Sequence, residues 1–144
     1  MKQYRGATNN LTVRATAPTA DGDGFAMSVY DNATYTPKKR SKRYLIRVDV
    51  LGAGTACTLA LWAKDLTIGS GGGGAWGRTV DASGNFGVLA NGTTLSGGAT
   101  AVSYYFVFED IGCFAEIVLV QTNTSGSPTV TATITPIIEV SEAG

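Results

Sequence analysis

Apolar and polar residues alternate with a period of two along most of this chain. Leu11, Val13 and Ala15 alternate with Thr12, Arg14 and Thr16, and Phe25, Met27 and Val29 with Ala26, Ser28 and Tyr30. In the next run Tyr44, Ile46, Val48 and Val50 share one face, and Arg47 and Asp49 the other. Cys57, Leu59 and Leu61 then alternate against Thr58, Ala60 and Trp62. Successive strand side chains point to opposite faces, so each run predicts a half-buried strand. Gly52-Ala53-Gly54 turns the chain between the last two, which predicts a hairpin.

Residues 100–109 and 113–121 are the most apolar runs, joined by Asp110-Ile111-Gly112 into a second expected hairpin. Val118, Leu119 and Val120 do not alternate, which predicts a central strand covered on both faces. Thr129, Thr131, Thr133 and Thr135 alternate with Val130, Ala132 and Ile134 in a last strand. Pro136 interrupts it, which suggests an edge or a bulge. Between these runs lie Asp21-Gly22-Asp23-Gly24, with turn chemistry, and Gly69-Ser70-Gly71-Gly72-Gly73-Gly74, where regular structure is entropically expensive. Short strand pieces are expected at 76–80 and 85–90, with Ser83-Gly84 and Asn91-Gly92 as turns.

The expected fold is therefore all-β: a single-domain β-sandwich of eight or nine antiparallel strands, jelly-roll-like, with an immunoglobulin-like sandwich as second choice. Its core should hold Leu11, Val13, Ile46, Val48, Leu59, Leu61, Phe106, Phe108, Ile117, Leu119, Val130 and Ile134. Residues 1–10 are polar and aperiodic and read as an arm, either mobile or a short edge segment, which orders against a neighbour. The sandwich should occupy 11–140, and 141–144 form a short tail. At 144 residues the chain fits one domain and can bury about 68–70% of its unfolded surface without staples.

Composition adds two points. Charged residues are only 15% of the chain, below the usual ~25%. This fits either uncharged polar outer faces or a surface partly covered by partners. All 11 basic residues lie in 1–78 with five acids, a net +6, whereas 79–144 holds six acids and no base. If the halves separate in space, opposite patches would favour head-to-tail contacts.

The chemistry that could be catalytic is sparse. Without histidine, Ser-His and Cys-His nucleophile pairs are excluded, and two cysteines cannot complete a zinc site. Cys57 and Cys113 both fall in strand-like runs and are expected as buried free thiols, a cross-sheet bridge being the alternative. Asp21-Gly22-Asp23-Gly24 begins like a calcium loop but continues with Phe25 and lacks the later glutamate, so a plain turn is expected. Glu109, Asp110 and Glu116 are close in sequence but sit where acids are ordinarily solvated. The glycine run lacks the Lys-Ser/Thr of a phosphate loop. The expectation is a non-enzymatic protein with no cofactor and no metal.

The sharpest local feature is Lys38-Lys39-Arg40-Ser41-Lys42-Arg43. Either it is a solvated loop or it meets an acidic partner. A nucleic-acid site would add stacking aromatics or a groove-reading helix. Of the flanking tyrosines Tyr35 and Tyr44, the second reads as core, so a protein partner is preferred. Lys38, Lys39, Arg40, Lys42 and Arg43 are candidate contacts, together with Trp76. Trp62 and Trp76 are either core residues, interface anchors, or platforms for sugar rings. Residues 1–13 contain no apolar run of the secretory kind and no run approaches 18 apolar residues, so neither a signal peptide nor a membrane-spanning helix is expected.

The Thr/Gly/Ala-rich strands, the start without a signal, the stretch Val80-Asp81-Ala82-Ser83-Gly84-Asn85 and the apolar segment 104–120 with its Asp110-Ile111-Gly112 turn resemble small all-β structural proteins of tailed-phage virions. Within that group the chain is most similar to capsid decoration, or cement, proteins. The resemblance implies a virion protein made in the host cytoplasm. It implies a major capsid protein or another virion protein as partner, and a homo-oligomer, a trimer slightly ahead of a dimer. A tail, portal-adaptor or fibre-base component is the first alternative, and a carbohydrate-binding module the second. The resemblance assigns no functional residue.

Overall fold

The computed structural model describes residues 2–31, 40–65, 76–79 and 94–140. Eleven strands lie within them: β1 Lys2–Arg5, β2 Asn9–Leu11, β3 Val13–Arg14, β4 Phe25–Ala26, β5 Arg43–Leu51, β6 Ala56–Lys64, β7 Trp76–Arg78, β8 Leu95–Ser96, β9 Val102–Glu109, β10 Glu116–Ser125 and β11 Thr129–Val140. They form two packed sheets, an all-β sandwich. The first has the order β1-β11-β5-β9, with β2 also on β11. The second has the order β3-β10-β6-β7, with β4 also on β10 and β8 on β6. The strand pairs are antiparallel except β3 with β10, which is parallel.

The core follows from the period of two. On β5 the even residues Tyr44, Ile46, Val48 and Val50 are buried, and the odd ones face outward. On β6 the buried apolar set is Cys57, Leu59, Leu61 and Ala63, followed by the buried Lys64. On β10 all of Glu116–Leu119 is buried, as a central strand covered on both faces requires. Ile134 of β11, Met27 and Leu95 complete the core. Of the twelve expected core residues, Leu11, Ile46, Val48, Leu59, Leu61, Ile117, Leu119 and Ile134 are buried, while Val13, Phe106, Phe108 and Val130 are half-buried and pack against them.

The connections differ from the expected hairpins. β5 belongs to the first sheet and β6 to the second, so Gly52-Ala53-Gly54 carries the chain across the sandwich. The same holds for β9 and β10. Asp110 takes φ 62°, a left-handed conformation that Asp tolerates, and a 3-10 turn at Ile111–Cys113 leads into the second sheet. Alternation fixes which face a residue takes, and it says nothing about which sheet the next strand joins. Likewise the single run expected from Leu11 to Ala15 is two strands: Leu11 ends β2 in one sheet and Val13 starts β3 in the other.

Three further expectations take definite form. Of the two readings of residues 1–10 the short edge segment is the one observed, with Lys2–Arg5 paired along Ile137–Val140 of β11 within the same chain and without a neighbour. The run after Phe25 is a 3-10 turn at Met27–Tyr30, so Met27 is buried while Val29 is exposed. Pro136 lies on β11, an inner strand of its sheet, in regular register with β5. On the other side three residues, 6–8, oppose Thr135 and Pro136, an irregularity of the bulge kind that the proline led one to expect. Its carbonyl accepts from the Gly6 N–H at 2.9 Å. In an antiparallel strand a residue's N–H and C=O point to the same side. The N–H that proline lacks would therefore face residues 6–8, where the chain leaves the ladder between β1 and β2. β5 loses no hydrogen bond to it.

The two charge halves do not separate. Arg43 pairs with Glu139 and Lys64 with Glu116, each a base from the first half beside an acid from the second. The expected strand at 85–90, the glycine run 69–74 and the tail 141–144 lie outside the described residues. Among the described residues no helix is long and apolar enough to cross a membrane.

Candidate functional site

The basic run leads into β5 at one end of the sandwich, and two of its three described cations, Arg40 and Arg43, are engaged within the chain. Arg40 is mostly covered. Its guanidinium pairs with Asp31 and donates to the Gly112 carbonyl at 3.1 Å and the Phe114 carbonyl at 2.6 Å. It thereby fastens the turn between β9 and β10 to the start of β5. Arg43 pairs with Glu139 of β11. Lys42 is exposed, and Lys38 and Lys39 lie outside the described residues. Beside the run is a cleft of about 580 Å³ lined by Asp31, Arg40, Lys42, Asp110 and Cys113. Cys113 is exposed in the 3-10 turn, where a strand was expected to bury it, and its thiol donates to the Asp110 carbonyl at 3.1 Å. Cys57 is the buried thiol of the two, both are free, and burial pushes the Cys57 pKa up.

Behind this end the Tyr44 side chain is fully buried, and among the described residues its hydroxyl finds no hydrogen-bond partner. Burial is the main reason that its pKa is pushed up to about 12. Such a phenol resists ionisation and suits a packing role.

The Asp21-Gly22-Asp23-Gly24 turn is a docked structural element. Glu116, only 6% exposed, accepts from the Gly22 N–H at 3.0 and 3.1 Å and from the Gly24 N–H at 3.2 Å. Lys64 lies between Glu116, at 3.3 Å, and Asp21. The bond to Asp21 is the largest influence raising the Lys64 pKa. Asp23 accepts from the Thr19 and Ala20 N–H groups, which lower its pKa. A Cβ on Gly24 would come within 2.6 Å of the Ile117 carbonyl oxygen, so the close approach needs glycine. The carboxylate oxygens are already committed to amides and an ammonium group. Among the described residues no three His, Cys, Asp or Glu side chains converge to hold a metal ion.

Trp76 belongs to the same structure. It is 8% exposed, and its indole N–H donates to the Ala20 carbonyl at 2.9 Å. It therefore offers little surface to a partner or a sugar ring. Trp62 is half-buried on β6.

The run of β9 is among the most apolar of the sequence, and the structure places it at a sheet margin. It is an outer strand of the first sheet, and among the described residues no strand pairs with its far side. Its outward residues Tyr105 and Val107 are 61% and 53% exposed. Its inward residues Tyr104, Phe106 and Phe108 are only half-buried. The backbone parity can be worked out. The Asp110 N–H donates to the Lys42 carbonyl at 2.8 Å, one step beyond the Arg43–Glu109 pair of a ladder without register shifts. Hydrogen-bonded pairs alternate with non-bonded ones in an antiparallel ladder. The N–H and C=O groups of Tyr104, Phe106 and Phe108 thus face β5, and those of Ser103, Tyr105, Val107 and Glu109 face the free edge. The signal was present in the sequence: from Val102 to Phe108 no residue is charged, and both parities carry aromatics.

No family model, curated protein or solved structure matches this chain.

Proposed function

We propose that this protein is a non-enzymatic structural component of a phage virion, one that decorates the capsid and stabilises it by bridging capsid subunits. The observation that carries the reading is the set of large apolar side chains left on the outer face: Tyr105 and Val107 on β9, with Leu51 at the end of β5. Clustered apolar surface at a sheet margin marks a place where other molecules dock. The likeness of the strand composition to decoration proteins points the same way, although fold style alone does not assign function.

The mechanism is additive burial. A clamp that touches two or more subunits stabilises only the assembled shell, which is ligand linkage with the lattice as ligand. Repetition around the shell turns modest contacts into high avidity. Within the basic run the polar share of the contact falls to Lys42, with Lys38 and Lys39 beside it in sequence. Arg40 and Arg43 hold the fold instead. Removing the lysines should weaken capsid binding and flatten its salt dependence. A sugar-binding role loses support from the burial of Trp76.

Copy number per particle, from quantitative mass spectrometry of purified virions, tests the proposal. On the order of hundreds of copies supports decoration. About six to a few dozen would move the protein to the tail or portal. Absence from any particle overturns the virion reading.

A further inference from the structure

We propose that the free edge of β9 is a homodimer interface, at which a second copy adds its own β9 antiparallel across a two-fold axis. The inference does not rest on the virion reading.

The edge has the properties of a pairing template. β9 runs for eight residues without a register shift. It contains no proline and no lysine, and its one charge, Glu109, is at its end. Proline, lysine, inward charge and short length are the devices by which sheets blunt their edges. The other outer strands have them. β1 is four residues long and carries Lys2 and Arg5, and β3, β4, β7 and β8 are two or three residues each.

A second copy is the occupant that fits, because β9 is self-complementary about Tyr105. A two-fold axis there sets Tyr105 against its own copy, Tyr104 against Phe106, Ser103 against Val107 and Val102 against Phe108. The axis keeps both cores on one side, since each of these pairs shares a parity. On the inner side aromatic meets aromatic and apolar meets apolar, which covers the half-buried Tyr104, Phe106 and Phe108. On the outer side the Arg47 guanidinium lies 5.9 Å from the Tyr105 ring centroid. The dimer therefore continues as a row Arg47–Tyr105–Tyr105–Arg47, with cations outside and stacked rings at the centre. Glu109 falls opposite Ala101, so no like charges are forced together. The odd residues whose amides face the edge are the ones that this pairing satisfies. A foreign strand would need a charge or a shaped pocket to be selected, and residues 102–108 supply no charge to select by. The contact is isologous and closes at two copies.

Sedimentation equilibrium of the full chain tests this against two variants. Val107→Pro deletes an N–H that faces the free edge and is not used by β5, and proline is tolerated at such edge positions. Val107→Lys places a charge on the same edge without touching the backbone. The expected result is a dimer for the wild type, with both variants folded by circular dichroism and dissociation constants raised by about a hundredfold or more. Should Val107→Pro fail to fold, Val107→Lys decides. A wild type that stays monomeric at high concentration overturns the proposal. So does any oligomer that folded Val107→Lys leaves intact.

Discussion

β1 and β9 bound the same sheet but are built in different ways. β1 is short, carries Lys2 and Arg5, and exposes all four side chains. It is followed at once by a break at residues 6–8, where Gly6 bonds to Pro136 and the Thr8 hydroxyl meets that of Thr135 at 2.7 Å. β9 is twice as long, uncharged until its last residue, and straight through its register. β1 lies on β11 and β9 on β5, the two inner strands of one sheet, and the two edges contrast in composition and in length. Charge and a broken ladder make an edge unsuitable for pairing, and a long uncharged run leaves it available. The two edges therefore suit two roles, one facing water and one open to a partner.

The largest expected effect comes from the core that the two edges share. Ile46 is fully buried between Ile134 on the β1 side and Phe106 on the β9 side. Ile46→Ala should cost about 2–5 kcal/mol, read by denaturant unfolding, through lost transfer energy and a cavity. The loss should be cooperative, with both edges melting together. A variant in which β9 amides lose protection while β1 amides keep theirs would mean that the edges do not share one core.

A smaller effect should follow from giving β1 the character of β9. Lys2→Val together with Arg5→Val removes both cations from that edge. The doubly substituted chain should then form species larger than a dimer, seen by light scattering at rising concentration. If its size distribution matches the wild type, the break at residues 6–8 alone protects β1.

The alkaline limb of stability should show the end of the sandwich between the edges. The Tyr44 phenol is raised by burial to about 12, and Lys64 is raised chiefly by Asp21. In both cases the folded state holds its proton above the pKa of the unfolded chain. Stability is thus full below about pH 10 and falls as pH rises through the folded values. Tyr44→Phe removes only a hydroxyl without a partner among the described residues, and it should shallow the decline between pH 10 and 12. An unchanged slope would place the alkaline loss elsewhere, with Lys64 as the remaining group.

Much of this contrast could be read along the chain, and the part that could not has a physical reason. The faces of β5, β6 and β10 follow from alternation, and Val118 to Val120 announce a central strand. Sheet membership was not legible. Gly52-Ala53-Gly54 serves a hairpin or a crossover equally well, because the distinction is made by contacts distant in sequence. Pro136 did announce an irregularity, but not that it lies on the side of β1 and β2, where residues 6–8 leave the ladder, because that too is set by contacts distant in sequence. The basic run was conspicuous as composition, yet Arg40 and Arg43 are engaged by partners more than 70 residues away along the chain. Residues 102–108 stood out as apolar, but they read as half of a hairpin, so the edge that their lack of charge leaves open was not legible.

Residue-resolved amide exchange along β9 tests the central claim most directly. In concentrated protein the amides of Tyr104, Phe106 and Phe108 should exchange slowly because they bond to β5. Those of Ser103, Tyr105 and Val107 should be slow as well, because they bond to a second copy. On dilution to the monomer, only the odd set should become fast. Odd-numbered amides that exchange freely at every concentration would contradict the account, whatever the size of the particle in solution.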